Sequence, residues 1–221
     1  MASTKFPPAM PATATRTGAA AVKTGAMKTA PTVTKAAPLV VKTAAGPTAT
    51  GTTVSAAGIT KTPLVIVFVD LARFQIASRR LSDEGLAELV QDYYERIADG
   101  LKGAGGRVVK FMGDGALLVF PIDRASQAVR TLLLLKQEID ARMAKRKFAT
   151  GLVARVNAGE VMAGDFGAKA DKRYDVIGNA VNRTAAMRYS EGISLTAEAY
   201  AKLDAKTQKL FRAKGDLFIA A

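Results

Sequence analysis

The chain has 221 residues, and its 32 Lys or Arg against 19 Asp or Glu give a formal net charge of +13. It contains no cysteine and no histidine, which excludes disulfides, thiol catalysis and imidazole chemistry. Acid–base work must therefore use carboxylates, lysines, the substrate or metal-bound water. No apolar run approaches the roughly 20 residues of a membrane span, and residues 1–25 lack a secretory signal core. We therefore expect no transmembrane segment and a cytoplasmic protein.

The first 60 residues differ in composition from the rest. They contain no Asp or Glu, six Lys or Arg and six of the eight prolines. Such a segment has too little large apolar surface to offset the entropy lost on ordering. We predict a disordered basic tail at 1–62 and one domain at 63–221. The tail's positive charge suits weak contact with polyanions, although a solubilising linker is the simpler interpretation.

The first half of the domain predicts two strand-and-helix units. Residues 64–69 form a continuous apolar run rich in β-branched side chains, as in a buried central strand. A 3.6-residue apolar repeat then predicts a helix over residues 86–101. Residues 107–120 have the pattern of a hairpin that turns at Asp114-Gly115. A second amphipathic helix follows, which ends in the cations of residues 142–147.

The second half predicts shorter elements. Residues 152–157 and 161–166 indicate two strands joined at Ala158-Gly159. Four further elements and a closing strand are predicted at 174–177 (strand), 182–189 (helix), 193–196 (strand), 198–203 (helix) and 217–220 (strand). The order β-α-β-β-α-β predicts an α+β fold with a ferredoxin-like antiparallel sheet, helices on one face, and additional strands and helices.

Two carboxylates lie next to apolar strands. Asp70 follows the run 64–69, and Asp114 lies in the predicted hairpin turn. A buried ionised carboxylate is unfavourable unless it is paired or binds a cation, and two of them together repel each other. Taken separately, Asp70 is a loop cap and Asp114 a turn residue. If the fold brings them together, they indicate metal-assisted phosphate chemistry.

Four segments share an order and spacing with a known family: 68–74 (FVDLARF), 110–114 (KFMGD), 157–164 (NAGEVMAG) and 173–182 (RYDVIGNAVN). They resemble the class III nucleotidyl cyclase catalytic domain, the family of adenylate and guanylate cyclases. The resemblance extends over nearly all of residues 64–220.

The resemblance implies a metal and phosphate site. Asp70 and Asp114, with the backbone of Leu71, would bind two Mg²⁺ or Mn²⁺ ions per site, which suit carboxylate and triphosphate oxygens. The loop that leads into a helix at Phe74 would present N–H groups to phosphate oxygens. The family usually has glycine where this chain has Arg73, which either reaches the phosphates or crowds the loop.

The resemblance also implies base recognition by Lys110 and Asp175. Adenine offers an acceptor at N1 and a donor at N6, so a lysine donor beside a carboxylate acceptor favours ATP. A rotated guanine satisfies the same two groups, so guanylate cyclase remains open. In isolation, either residue is an ordinary exposed strand residue.

The resemblance implies that Asn182 orients the ribose and that an arginine four residues later stabilises the transferring phosphate. This chain has Ala186 at that position. Arg183 and Arg188 are near in sequence but not on the face of Asn182. A missing phosphate-binding arginine removes several kcal/mol of transition-state stabilisation.

Arg212 and Lys214 correspond to two basic residues that bind the triphosphate in the family, although this match is short. Family active sites form between two domains, so the resemblance implies a head-to-tail homodimer with two equivalent sites, or a second cyclase chain. The expected activity is conversion of ATP to 3′,5′-cyclic AMP and pyrophosphate. The alternatives are guanylate cyclase and, because of Ala186, a catalytically degenerate nucleotide-binding or regulatory partner.

Overall fold

The computed structural model describes residues 58–188 and 192–220. The predicted disordered tail lies outside the described residues as far as residue 57. Its last three residues, 60–62, belong to the first strand, which begins earlier than the apolar run alone indicates. Residues 189–191 and 221 also lie outside the described part of the chain. The helix predicted at 182–189 begins and ends earlier than expected, at residues 179–185.

The elements follow the predicted order with some changes in their bounds. In chain order they are β1 (Thr60–Leu71), α1 (Phe74–Ser78), α2 (Asp83–Leu101), β2 (Arg107–Met112), β3 (Gly115–Pro121), a 3₁₀ turn (Ile122–Arg124), α3 (Ala125–Lys145), β4 (Leu152–Ala168), β5 (Asp171–Ile177), α4 (Asn179–Ala185), β6 (Ile193–Thr196), α5 (Ala197–Tyr200), α6 (Ala205–Gln208), β7 (Phe211–Lys214) and β8 (Leu217–Ala220).

One sheet connects all eight strands. Its order is β2-β3-β1-β4-β6-β8-β7, with β5 paired to β4 away from this path. The strands β2, β3, β1 and β4 with the helices α2 and α3 form the ferredoxin-like β-α-β-β-α-β unit, which confirms the predicted fold class. Neighbouring strands are antiparallel except for β4 and β6, which are parallel.

The side chains of β1 alternate between the two faces of the sheet. Val65, Val67 and Val69 pack with α2 and α3 in the main core, whereas Leu64 and Ile66 belong to a second cluster that includes Ala180 of α4. The prediction that helices pack on one face is therefore correct for α2 and α3 and wrong for α4. Because side chains alternate along a strand, Asp70 lies on the face of Ile66 and α4.

The predicted turn at Ala158-Gly159 is wrong, because β4 runs without interruption from Leu152 to Ala168. Gly159 has a different reason to be glycine. A Cβ atom built at this position would lie 2.9 Å from the Cβ of Ala180. The glycine therefore permits the close approach of α4 to β4. The glycine that predicted a turn is explained instead by this packing between two elements.

Strand β7 was not predicted. Its residues Phe211–Lys214 pair with β8, and only Phe211 is buried. An edge strand with three exposed residues of four lacks the apolar alternation by which strands are identified.

Candidate active site

Asp70 and Asp114 meet at the end of β1. Asp70 is opposite Gly115 in the register of β1 and β3. The Leu71 N–H donates to the backbone carbonyl of Asp114 at 3.2 Å and also lies 3.1 Å from Asp70 Oδ1. The strand end and the β2–β3 turn are thus joined, and they present both carboxylates on the same side of the sheet.

The Asp114 carboxylate influences the ionisation of Asp70. Burial, and next the charge of the Asp114 carboxylate, raise the pKa of Asp70 from 3.8 to about 6. The Arg155 guanidinium acts in the opposite direction, and a hydrogen bond with the Asp114 side chain raises the pKa further. A cation bound between two such groups would relieve their repulsion.

Arg155 of β4 lies beside the carboxylates and was not identified from the sequence. Its Nη2 atom is 3.8 Å from Asp70 Oδ2, and its Nη1 donates to the Ala185 carbonyl at 3.3 Å. The sequence did contain a signal, because an arginine interrupts the apolar run from Leu152 to Val156. In the sheet register Arg155 is opposite Phe68, on the face that carries Asp70.

Two tyrosines of α2 support the turn that carries Asp114. The Tyr94 hydroxyl donates to the Gly113 carbonyl at 2.7 Å, and its ring stacks on Phe111 with centroids 3.9 Å apart. Tyr93 is buried, and its hydroxyl has no hydrogen-bond partner within residues 58–188 and 192–220. Burial raises the Tyr93 pKa well above 10, and the charges of Asp70 and Asp114 add to the shift, so this hydroxyl stays protonated near the carboxylates.

Lys110 and Asp175 are brought into direct contact by β2 and β5. Lys110 Nζ lies 2.6 Å from Asp175 Oδ2, and Asp175 Oδ1 accepts from the Val176 N–H at 2.8 Å. The guanidinium of Arg107 covers the Tyr174 ring at 3.6 Å and also connects the two strands. The result is a cationic donor beside a fixed carboxylate acceptor, both accessible to solvent.

Asn182 is exposed on α4, and Ala186 follows the last residue of that helix. Arg183 forms an ion pair with Glu198 at 3.2 Å, and Arg188 is exposed. The structure therefore gives Arg183 a partner on α5 and places neither arginine beside the carboxylates.

Helix α4 is fixed to the sheet by a buried asparagine. Asn157 of β4 donates from Nδ2 to the Ala180 carbonyl at 3.1 Å, and its Oδ1 accepts from the Thr196 hydroxyl at 2.7 Å. Asn157 is fully buried, and sequence reasoning did not single it out as a positioning residue.

The loop after β1 contains a left-handed residue. Arg73 has φ 59° and ψ 25°, a conformation that glycine adopts without strain. The loop therefore has the backbone shape that suits the glycine which the family resemblance implies at this position. Phe74 begins the five-residue α1 and packs its ring on the main core, while the Leu71 side chain is buried.

Arg212 and Lys214 lie on β7, at the opposite edge of the sheet from β2. Strands β4, β6 and β8 separate β7 from β1, which carries Asp70. Both residues are exposed and occupy alternate positions on one face of the edge strand. A single chain thus does not bring them to the carboxylates.

The donors at the end of β1 fit a hard divalent cation. Within residues 58–188 and 192–220, no group of three or more Asp, Glu, His or Cys side chains forms a complete metal site. Two carboxylates and nearby backbone carbonyls leave further coordination positions for phosphate and water oxygens, as Mg²⁺ in phosphoryl-transfer sites prefers.

Comparisons with known proteins identify the family of this chain. Residues 59–221 match the family described as "Adenylate and Guanylate cyclase catalytic domain", and the chain belongs to that family. Adenylate cyclase 2 of Rhizobium meliloti is 27% identical over 139 residues, 60% of this chain and 37% of that protein. The adenylate cyclase of Streptomyces coelicolor is 30% identical over 119 residues, 54% of this chain and 28% of its own length. The chain thus spans about a third of the curated relatives it matches.

Solved cyclase structures share the fold. The adenylyl cyclase CyaB from P. aeruginosa superposes with a TM-score of 0.65 at 20% identity, covering 74% of this chain and 95% of that chain. The guanylyl cyclase Cya2 gives a TM-score of 0.62 at 20% identity, covering 73% of this chain and 92% of that chain.

Among the described residues, no helix has both the length and the apolar character needed to cross a bilayer.

Proposed function

We propose that this domain is an adenylate cyclase that converts ATP to 3′,5′-cyclic AMP and pyrophosphate. The observation that carries the proposal is the 2.6 Å contact between Lys110 and Asp175. A donor held beside an acceptor matches adenine, because Lys110 can donate to N1 while Asp175 accepts from N6. The relatives named adenylate cyclase in two bacteria support the same choice.

Asp70, Asp114 and the Leu71 carbonyl would hold Mg²⁺ or Mn²⁺, two ions per site. When bound, the ions would lower the pKa of the ribose 3′-hydroxyl and neutralise charge on the phosphates. In the metal-free protein the pKa of Asp70 is raised to about 6, so below that pH a cation would have to displace a proton from this carboxylate.

The chain's own residues orient the nucleotide. Lys110 and Asp175 bind the base, Asn182 binds the ribose, and Phe74 with Arg212 and Lys214 binds the triphosphate. In the reaction the 3′-oxygen bonds to the α-phosphorus, the 3′-hydroxyl proton is released, and the bond to the pyrophosphate oxygen breaks in line. Orientation of the 3′-oxygen is the main contribution of the base and ribose contacts.

The complete site requires two chains. Within one chain, Arg212 and Lys214 lie across the sheet from Asp70, as described above. A head-to-tail homodimer would place the carboxylates of one protomer opposite Lys110, Asp175 and Asn182 of its partner and form two equivalent sites. Exposed apolar side chains on β2 and β5, Met112 at 42% and Ile177 at 51%, would gain cover there.

Purified full chain, ATP and Mn²⁺ test the proposal, with cyclic AMP measured by chromatography. We expect product that disappears in Asp70→Asn and persists in Asp165→Asn, a matched change at an exposed position of β4. Competition between ATP and GTP then tests the base, and a preference for GTP would identify a guanylate cyclase. That alternative is kept because guanylyl cyclase structures share the fold.

A non-catalytic role is the second candidate, and Ala186 is the observation that favours it. A domain without the phosphate-binding arginine would bind nucleotide or regulate an intact cyclase. Absence of product at every protein concentration, together with retained nucleotide binding, would support this role and contradict the enzyme.

A further inference from the structure

We propose that Arg155 binds the triphosphate of the nucleotide and supplies the positive charge that position 186 lacks. The proposal rests on the proposed cyclase function. It assigns a substrate-binding role to a residue of β4 that neither the sequence motifs nor the family comparison indicates. The argument depends on where the guanidinium lies, what it contacts and what it leaves unpaired.

The Arg155 guanidinium lies between the carboxylate pair and the end of α4. One side faces Asp70 Oδ2 at 3.8 Å, and the other donates to the Ala185 carbonyl at 3.3 Å. Ala185 is the residue directly before Ala186. In the proposed dimer, the Ala186 that belongs to the site of this Asp70 comes from the partner chain, so Arg155 would bring positive charge to that site from the chain that supplies the carboxylates.

The hydrogen-bonding capacity of Arg155 is only partly used within the described part of the chain. A guanidinium has five N–H donors, but the contact to Asp70 is too long for a hydrogen bond and the one to Ala185 is weak. Its Nε atom is buried and has no hydrogen-bond partner among the described residues. Only 23% of the side chain is exposed, so water satisfies few of these donors. Such unpaired buried donors are unfavourable unless a ligand satisfies them.

Charge in the complete site explains which ligand fits. Two carboxylates and a nucleoside triphosphate carry more negative charge than two divalent cations neutralise. A guanidinium is always protonated and binds two phosphate oxygens at once. Some arginines have closer acidic partners, as Arg142 has in Asp92 and Glu138, both at 3.3 Å. Arg155 is the arginine whose guanidinium lies 3.8 Å from Asp70, which positions it to bind phosphate there.

The competing explanation is that Arg155 only neutralises Asp70 until a cation binds. In that case its removal would strengthen metal binding and leave turnover unchanged or faster. If Arg155 binds phosphate, its removal must weaken triphosphate binding or slow cyclisation even when metal saturates the site. The two explanations differ in the direction of the effect.

The experiment compares full-length wild type, Arg155→Ala, Arg155→Lys and the double variant Arg155→Ala with Ala186→Arg. Arg142→Ala on α3 is the matched control, because it removes an arginine paired with acidic residues away from the site. We measure kcat and KM for ATP at saturating Mn²⁺. Calorimetry also gives the Kd of 3′-deoxy-ATP, which lacks the attacking hydroxyl, and that of Mn²⁺ alone.

We expect Arg155→Ala to lower kcat/KM about 100-fold, as loss of one charge-stabilising donor does elsewhere. Binding of 3′-deoxy-ATP should weaken about tenfold, Arg155→Lys should be intermediate, and Ala186→Arg should restore at least part of the loss. Arg142→Ala should equal wild type. Unchanged kinetics and analogue affinity in Arg155→Ala, or tighter Mn²⁺ binding with undiminished turnover, would overturn the proposal.

The two proposals fail in different ways. If wild type forms no cyclic AMP, the proposed function fails, and Arg155 is still judged by the Kd of 3′-deoxy-ATP. If wild type cyclises ATP and Asp70→Asn does not, the function stands whatever Arg155→Ala shows. Thermal melting of each variant separates loss of folding from loss of binding, and Arg155→Lys keeps the charge where alanine proves unstable.

Discussion

The charge of the Asp70 carboxylate is set by opposing effects of its surroundings. Burial and the Asp114 carboxylate disfavour its charge, while Arg155 at 3.8 Å favours it. Without a cation the first two dominate, and the pKa lies near 6. A carboxylate held in this way lowers the stability of the metal-free protein. It would also favour cation binding, because a bound cation relieves the same repulsion.

Replacement of Asp70 should therefore stabilise the metal-free protein. Since the folded-state pKa of Asp70 is raised above 3.8, the folded protein binds more protons between pH 4 and 6, and its stability falls as the pH rises through that window. Asp70→Asn should remove this fall and raise the free energy of unfolding at pH 8 by about 1 kcal/mol, reduced by solvent screening. Urea unfolding in a chelator at pH 4.5 and pH 8 checks this, and equal stability at pH 8 would contradict it.

Arg73 gives a second prediction at this scale. It holds a left-handed conformation, φ 59°, before α1, at a cost of about 1 kcal/mol for a non-glycine residue. Arg73→Gly should raise the unfolding free energy by up to about 1 kcal/mol. If Arg73 also contacts the phosphates, the same change will raise the KM for ATP. Lys147, also left-handed at φ 60° but outside the proposed phosphate loop in sequence, provides the matched glycine control.

At the scale of elements, the site is built where strand ends and turns meet. The end of β1 supplies Asp70, the β2–β3 turn supplies Asp114, and α2 holds that turn through Tyr94. None of these contacts lies within one element. The turn's position relative to β1 therefore depends on packing between α2 and β2, as the stacked rings of Tyr94 and Phe111 show.

Loss of the Tyr94 hydroxyl should loosen this turn. Tyr94→Phe keeps the ring stack but removes the 2.7 Å hydrogen bond to the Gly113 carbonyl, which should lower stability by about 1 kcal/mol. Because Asp114 follows Gly113, we also expect several-fold weaker Mn²⁺ binding by calorimetry. Tyr200→Phe is the control, since its ring stacks on Phe218 in the far half of the sheet. Equal Mn²⁺ affinity in both variants would contradict the positioning role.

Much of this arrangement could be predicted from local sequence patterns. The run 64–69, the hairpin at Asp114 and the two long helices each depend on signals within one element, and their order gave the fold class. What could not be predicted depends on contacts between elements. Gly159 was interpreted as a turn residue because its contact with Ala180 of α4 is not visible in the sequence. Arg155 could not be distinguished from other strand arginines because its neighbour Asp70 is distant in sequence.

At the scale of the whole molecule, the proposed site is divided between two protomers. The carboxylates and Arg155 form one half, and Lys110, Asp175 and Asn182 form the other. Each chain would contribute one half to each of two sites. Activity should then fall on dilution as dimers dissociate, more steeply than the protein concentration alone requires.

Mixing two inactive variants tests this division. In a heterodimer of Asp70→Asn and Lys110→Ala chains, one site has both substitutions and the other has neither, because each site takes its carboxylates from one chain and its base contacts from the other. A random equimolar mixture should therefore regain about a quarter of the wild-type activity per chain. A mixture of Asp70→Asn with Asp114→Asn should remain inactive, since both changes lie in the same half. Recovery in the second mixture would indicate that Asp70 and Asp114 of one site come from different chains. No recovery in the first mixture, when chromatography shows heterodimers, would indicate that one chain supplies both halves.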